Sequence, residues 1–194
     1  PVGTLVSIRD ESVSHLAAFM THEWPDGKRF AFTIVDDTDE STLANTKPVY
    51  DLLTELGLRT TKTVWPLAPS ATAKYGGATL EDDDYRSWIL ELQRQGFEIA
   101  LHATTDHPSE RAQIEKGFAY FREVIGNDPR IHINHDGQTE GMYWGLGRFD
   151  QPVKSVYRVV NALARQDRRH YGHVPSSPYF WGDLCREHIE YVRN

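Results

Sequence analysis

The chain has 194 residues, of which 39% are hydrophobic and 25% charged, and this balance is typical of one globular domain rather than of a disordered or fibrous protein. A formal net charge of −7 argues against nucleic-acid and anionic-membrane partners, which need clustered basic residues. No apolar run approaches the ~20 residues that a membrane-spanning helix requires. The single cysteine, Cys185, excludes an internal disulfide and a cysteine-rich zinc site.

Strand-like and helix-like segments alternate along the chain, which is typical of a parallel α/β fold. The uncharged run at residues 30–35 predicts a first strand that is buried on both faces and ends at Asp36 and Asp37. Further strands are predicted at residues 59–65, 97–101 and 131–133, and helices at residues 49–56, 79–95, 109–125 and 152–166.

Potential metal ligands follow three of the predicted strands, at the edge where parallel folds carry their chemistry. They are Asp36 and Asp37, then His102, and then Asn134, His135 and Asp136. Two adjacent carboxylates repel each other unless a cation or a shared proton offsets the repulsion. One carboxylate and two imidazoles form an open site for zinc or a related divalent ion, with His107 or His135 as the second imidazole.

Two motifs carry a resemblance to a known family. Val35-Asp36-Asp37 follows an apolar run, and a helix and the segment Gly-Leu-Arg-Thr-Thr come after it. The second motif is Phe-Glu-Ile-Ala-Leu-His-Ala-Thr-Thr-Asp-His-Pro at residues 97–108. Over residues 28–137 this pattern resembles the polysaccharide deacetylases, the carbohydrate esterase family 4-like proteins that share the NodB homology domain.

The resemblance implies a distorted (β/α) barrel of the glycoside hydrolase/deacetylase type, with the site at the carboxyl ends of its strands. It implies one catalytic domain over residues 1–194, and because few strands are visible we expect the carboxyl-terminal strands of the barrel to be missing. It also implies that Asp36 is the general base, while Asp37, His102 and His107 bind the metal ion.

The chain departs from the family pattern at several positions. The two motif histidines are five residues apart instead of four, and Asp106 stands at the family's spacing. The arginine that orients the base is not identifiable, because Asn134 and His135 follow the fourth strand. The third ligand therefore remains open among Asp106, His107 and His135.

These residues predict hydrolysis of an N-acetyl group on a sugar. A divalent ion, zinc or else cobalt, nickel or iron, would polarise the acetyl carbonyl and activate a water molecule. Asp36 would accept the proton, and His135 is the candidate acid for the leaving amine. Asn134, Asp136 and Trp144 are the residues expected to contact the acetylated carbohydrate substrate.

Other functions are compatible with the same residues. The chain could be a non-catalytic, carbohydrate-binding member of the same superfamily, or it could hydrolyse another amide. It could also cleave a glycosidic bond with Asp36 and Asp136 as the acid pair, although two histidines would then have no role. Since no signal peptide is visible and there is one cysteine, the cytoplasm is favoured, but the chain begins at Pro1 and a removed leader stays open. The sequence does not indicate an oligomeric state.

Overall fold

The structure is a computed structural model that describes residues 6–7, 25–70, 72–164 and 170–193. It has an α/β fold in which five parallel strands form a curled sheet, a half-barrel, accompanied by five helices. The strands are β1 (Val6–Ser7), β2 (Val35–Asp36), β3 (Thr61–Val64), β4 (Glu98–Leu101), β5 (Ile131–Ile133) and β6 (Tyr191–Arg193). The helices are α1 (Leu43–Glu55), α2 (Asp83–Arg94), α3 (Arg111–Ile125), α4 (Val153–Leu163) and α5 (Gly182–His188). Two short 3₁₀ helices occupy Pro25–Gly27 and Gly145–Arg148.

The sheet has the strand order β1-β6-β5-β4-β3-β2. Strands β2 to β6 pair in parallel, and β1 pairs with β6 in the antiparallel direction. Because the carboxyl ends of parallel strands meet at one edge, the residues that follow β2, β4 and β5 are brought together there. The sequence predicted a distorted (β/α) barrel, and the described residues form a half-barrel.

The helix-facing side of the sheet forms the hydrophobic core. Helices α2 and α3 each bury one apolar face in this core. The buried residues are Tyr85, Trp88, Ile89 and Leu92 of α2 and Ile114, Phe118, Phe121 and Ile125 of α3. Helix α2 begins at Asp83, four residues later than predicted, and in the turn before it the backbone N–H and the hydroxyl of Thr79 both donate to the Asp82 carboxylate. The single thiol, Cys185, is buried in this core.

One prediction about an apolar segment was wrong, and a second apolar segment is more exposed than its pattern suggests. The first strand has only two residues, and the segment before it is not buried, since Phe30 is 75% and Phe32 82% exposed. Helix α4 forms where the helical spacing predicted it, but none of its residues is buried. Few of the described residues pack against either segment; on α4, Tyr157 contacts the Phe149 ring, with 4.9 Å between ring centroids.

An ion pair between the buried Lys62 and Asp36, whose side chain is 30% exposed, holds strand β2 to its neighbours. Lys62 is the register partner of Asp36, so the two side chains share the helix-facing side of the sheet. The Lys62 ammonium is fully buried, and its Nζ lies 2.9 Å from Asp36 Oδ2. The Tyr50 hydroxyl of α1 donates to the same oxygen at 2.9 Å. Burial lowers the pKa of Lys62, and the Asp36 carboxylate opposes that shift by stabilising the charged ammonium.

This ion pair predicts a stability effect. In Asp36→Asn the buried Lys62 ammonium loses its counter-charge, and we expect the free energy of unfolding to fall by about 3 kcal/mol. Urea denaturation measures the change. Asp51→Asn is the matched control, because Asp51 pairs with Lys47 at the surface, where both side chains are at least half exposed, and such a pair contributes about 0.5 kcal/mol. Equal losses in the two variants would contradict the structural role of the buried pair.

Candidate metal centre

Three side chains at the carboxyl edge of the sheet form a candidate metal group. Asp39, His102 and His135 each offer one ligand atom, and these atoms all lie within 4.8 Å of one another. The Asp39 Oδ1 atom is 3.0 Å from His135 Nε2 and 3.5 Å from His102 Nε2. Two ligand atoms that each lie about 2.0–2.2 Å from a tetrahedral zinc ion are about 3.4 Å from each other, which is close to the distances between these side chains. Among the residues with a described placement, this is the one group of three or more such side chains.

The sheet places the two histidines. His102 directly follows β4, and its backbone N–H donates to the carbonyl of Val64, which extends the parallel ladder by one residue. Leu101 faces the helices, so the alternation of a strand points His102 to the concave side. His135 lies two residues beyond β5, and the backbone N–H of the intervening Asn134 donates to the carbonyl of Arg193 in β6.

The carboxylate comes from the turn after β2. Asp37 Oδ1 accepts a hydrogen bond from the Asp39 backbone N–H at 3.1 Å. Glu40 then adopts a left-handed conformation with φ of 57°, which reverses the chain into α1. The turn therefore folds back over the sheet edge and brings Asp39 to the two imidazoles.

Burial and charge suit this group to a cation. The His102 and His135 side chains are 3% and 2% exposed, and that of Asp39 is 24% exposed. Burial would raise the pKa of Asp39, but the two imidazoles outweigh it and hold the pKa below its ordinary value. Burial lowers the pKa of His135, which favours the neutral imidazole that metal coordination requires.

Near the group, a buried carboxylate oxygen, Asp106 Oδ1, has no hydrogen-bond partner among the residues that the structure describes. His102 Nε2 has only the Asp37 and Asp39 carboxylates, at 3.3 and 3.5 Å. Asp106 is almost fully buried, and its other oxygen, Oδ2, accepts the backbone N–H groups of Tyr75 and Gly76 at 2.7 and 2.6 Å. The free Oδ1 lies 3.9 Å from His135 Nε2. Unpartnered polar atoms in a buried site are costly, and a bound cation would satisfy them.

A cavity of about 310 Å³ opens beside the candidate metal group, and we refer to it as the metal cavity. Six of the residues that were predicted for the site line it: Asp37, His102, Asn134, His135, Asp136 and Trp144. Asp39 and Arg193 also line it, and neither was predicted from the sequence. The one sequence signal for Asp39 is that it is a third acid in the segment after the first strand, two residues beyond Asp37.

Asp37 lies beside the candidate group without being a member of it. Its Oδ1 is 3.3 Å from His102 Nε2, and its side chain is 66% exposed toward the cavity. Asp36 points the other way, toward Lys62 and Tyr50, and does not line the metal cavity. The alternation of side chains along a strand thus separates the two adjacent carboxylates.

The other predicted ligand, His107, also lies outside the group. Its Nε2 accepts the backbone N–H of Ser70 at 3.0 Å, and its Nδ1 is 2.9 Å from the carbonyl oxygen of Pro108. The turn between the two motif histidines contains Ala103 in a left-handed conformation with φ of 53°. The metal group in the structure therefore contains His102 and His135, the second of which was one of the three alternatives for the third ligand, and it has Asp39 in place of Asp37 from the segment that follows β2.

All three predicted substrate contacts have partners within the protein. The Asn134 side chain donates to the carbonyl of Met142 at 2.8 Å and accepts its N–H at 2.7 Å. Lys74 Nζ lies 2.9 Å from Asp136 Oδ2 at the exposed rim of the site. Trp144 stacks on His170 with 5.4 Å between ring centroids. Asn134 therefore fixes the loop after β5, while Asp136 and Trp144 remain at the cavity wall.

The chain matches no family model, no curated protein and no solved structure. Within the residues that the structure describes, every helix is too short or too polar to cross a lipid bilayer.

A buried acid supports the loop that carries Asp106. Glu140 Oε1 accepts the backbone N–H of Ser109 at 3.0 Å, while no described residue forms a hydrogen bond with its Oε2. The backbone carbonyl of Glu140 accepts the indole N–H of Trp181 at 2.7 Å. Burial raises the pKa of the Glu140 carboxyl to about 8, against an ordinary value of 4.5.

We expect His102 and His135, and not His107, to bind the metal ion. In His102→Ala and His135→Ala, zinc affinity should fall by more than about 100-fold, because loss even of outer-shell partners costs 10- to 100-fold. His107→Ala is the matched control and should bind zinc as the parent protein does. Competition titration with a chromogenic chelator measures all three. If His107→Ala lost the metal and His135→Ala kept it, the ligand set predicted from the motif would be correct instead.

Glu140 predicts a pH dependence of stability. Between pH 4.5 and about 8 the unfolded chain releases the Glu140 proton while the folded state keeps it. The free energy of unfolding should therefore fall as pH rises through this window, by on the order of 3 kcal/mol. Glu140→Gln should remove that fall, and Glu123→Gln at an exposed position should retain it. Urea denaturation at pH 5 and pH 8 measures the difference; parallel pH profiles for Glu140→Gln and the parent would contradict the prediction.

Proposed function

We propose that the chain is a metal-dependent hydrolase that removes an N-acetyl group from a sugar in a polysaccharide or glycoconjugate. The observation that carries this proposal is the group of Asp39, His102 and His135, whose ligand atoms converge beside an open cavity. Three protein ligands leave coordination positions for water and substrate, as in hydrolytic zinc sites. The resemblance to polysaccharide deacetylases supplies the substrate class.

A divalent ion at this group, with zinc as the first choice, would polarise the acetyl carbonyl and make a water molecule acidic enough to react near neutral pH. The protein residues then have the task of moving the proton. Water adds to the carbonyl carbon, the carbon–nitrogen bond breaks, and acetate and the free amine leave. One carboxyl group can accept the proton of the water and return it to the departing nitrogen.

In this proposal Asp37 is the proton acceptor. Its carboxylate faces the metal cavity and lies 3.3 Å from His102 Nε2. The sequence predicts Asp36 in this role, but that carboxylate is engaged by Lys62 and Tyr50 on the opposite side of the sheet. His135, which the sequence predicts as the acid, is a metal ligand in this proposal.

The walls of the cavity are compatible with a sugar. Trp144 offers an apolar aromatic face, and Asp136 and Arg193 offer hydrogen-bonding groups at the rim. A glycosidic mechanism with Asp36 and Asp136 has less support, because Asp136 lines the metal cavity and Asp36 does not.

Acetate release tests the proposal directly. The zinc-loaded protein should release acetate from N-acetylated oligosaccharides, and Asp37→Asn should lower kcat by roughly 100-fold or more while zinc stays bound. Asp51→Asn, which changes an exposed acid on α1, should leave kcat unchanged. An enzymatic acetate assay with parallel zinc analysis gives both quantities.

Two outcomes would overturn parts of this proposal. Failure of the zinc-loaded parent to release acetate from any acetylated sugar would reject the deacetylase activity and favour a non-catalytic binding protein. Full activity in Asp37→Asn, together with an inactive but folded Asp36→Asn, would return the role of the base to Asp36.

A further inference from the structure

The sheet ends in an open edge at β2, which is the last strand in the order of the sheet. The carbonyl of Ile34 accepts the backbone N–H of Thr61 in β3, so Ile34 directs its backbone groups toward that strand. By the alternation of a strand, the backbone groups of Thr33 and Val35 point to the opposite side, away from the sheet. None of the described residues forms a backbone hydrogen bond with residues 30–33. Such an edge is a template for pairing with a further strand.

Apolar side chains border this edge on the helix-facing side. Ile34 lines a cavity of about 390 Å³ together with Val49 and Leu53 of α1. Every second residue of the segment before β2 is apolar, so in an extended segment these side chains share the side that Ile34 faces. The exposed large apolar residues of this segment and of α1 with its C-cap are Phe30, Phe32, Ile34, Val49, Leu52 and Leu56. Exposed apolar surface beside an unpaired strand edge is typical of an association site.

The charges along the edge indicate which partner fits it. Lys28 and Arg29 precede the apolar residues, and Asp36 and Asp37 follow them. In an antiparallel pair of two identical segments, the basic end of each segment meets the acidic end of the other. A parallel pair would place like charges next to each other. The edge is therefore complementary to a second copy of itself in the antiparallel direction.

A pairing centred at Thr33 uses both the charges and the apolar residues. The two Thr33 residues then face each other, and because their backbone groups point outward they can exchange two hydrogen bonds. Phe32 of each copy lies opposite Ile34 of the other on the helix-facing side. Arg29 of each copy lies opposite Asp37 of the other on the concave side. A two-fold axis through this centre uses the same surface of both copies, so the assembly closes as a dimer.

We propose that the β2 edge is the interface of a homodimer, in which residues 29–37 of two copies pair antiparallel around Thr33. The two curled sheets become one through this pair, and the two α1 helices lie on the same side of the joined sheet. The interface is independent of the reaction proposed above. It nevertheless borders the metal cavity, because Val35 and Asp37 line that cavity.

Sedimentation equilibrium of the full chain measures the dissociation constant of the dimer. Thr33→Pro removes both central N–H donors and should weaken the dimer by roughly 30-fold. A proline is tolerated on an edge strand whose N–H faces outward, so the monomer should keep its fold. Thr33→Ala retains the N–H and is the matched control, with a dissociation constant close to that of the parent. Thermal denaturation followed by circular dichroism checks that both variants are folded.

Charge reversal tests the direction of pairing. Arg29→Asp places an acid opposite Asp37 of the partner subunit and should also weaken the dimer. Arg94→Asp reverses an exposed charge on α2, away from the edge, and should leave the dissociation constant unchanged.

Disulfide cross-linking tests the register. In a hydrogen-bonded antiparallel pair the opposed Cα atoms are about 5.5 Å apart, which is within the range that a disulfide spans. Thr33→Cys should therefore form a covalent dimer under mild oxidation. Glu123→Cys, at an exposed position of α3, is the control and should remain monomeric on a non-reducing gel. The native Cys185 is buried and should not contribute.

A dimer that Thr33→Pro weakens and Thr33→Ala does not, with cross-linking in Thr33→Cys, would support the interface. A parent protein that sediments as a monomer at every concentration would overturn it. So would a dimer that is as strong in folded Thr33→Pro as in the parent, or open-ended aggregates in place of a dimer. If Thr33→Pro does not fold, cross-linking decides: equal yields in Thr33→Cys and Glu123→Cys would reject the pairing.

Discussion

The buried ion pair between Lys62 and Asp36 is the interaction on which the position of the candidate metal centre depends. Strand β2 has only two residues, so few ladder hydrogen bonds hold it to the sheet. The pair, together with the Tyr50 hydroxyl, fixes Asp36 on the helix-facing side. Since side chains alternate along a strand, Asp37 is thereby directed to the concave side, and the turn that follows brings Asp39 over the sheet edge.

The same constraint divides two adjacent acids between stability and chemistry. A buried ammonium without a counter-charge is costly, so the Asp36 carboxylate is needed as the partner of Lys62. A carboxylate with this structural role is not free to act as the base. Asp37 and Asp39 stand next to the buried imidazoles of His102 and His135 and an open cavity. The site therefore has two parts. Strands β4 and β5 position the two histidines, and the turn after β2, whose position depends on the Lys62–Asp36 ion pair, carries the carboxylates.

Much of this arrangement was predictable from the sequence, because strand ends and helix caps are local signals. The strand before His102 and the short strand before His135 were predicted where they form, and six predicted residues line one cavity. The exposure of Phe30 and Phe32 was not predictable, because an uncharged run in the sequence does not show which other residues pack against it. Asp39 and not Asp37 belongs to the metal group because of the conformation of the turn after β2. His107 lies outside the group because its loop brings it to the backbone N–H of Ser70. Residue spacing alone predicts neither conformation.

The central claim is that Asp39, His102 and His135 hold one divalent ion. Anomalous diffraction at the zinc absorption edge, from crystals of the full chain grown with zinc, locates that ion directly. The account predicts one strong peak about 2.0–2.2 Å from an Asp39 oxygen and from the Nε2 atoms of both histidines. A peak bound by His107, or no peak among the three side chains at full zinc loading, would contradict it.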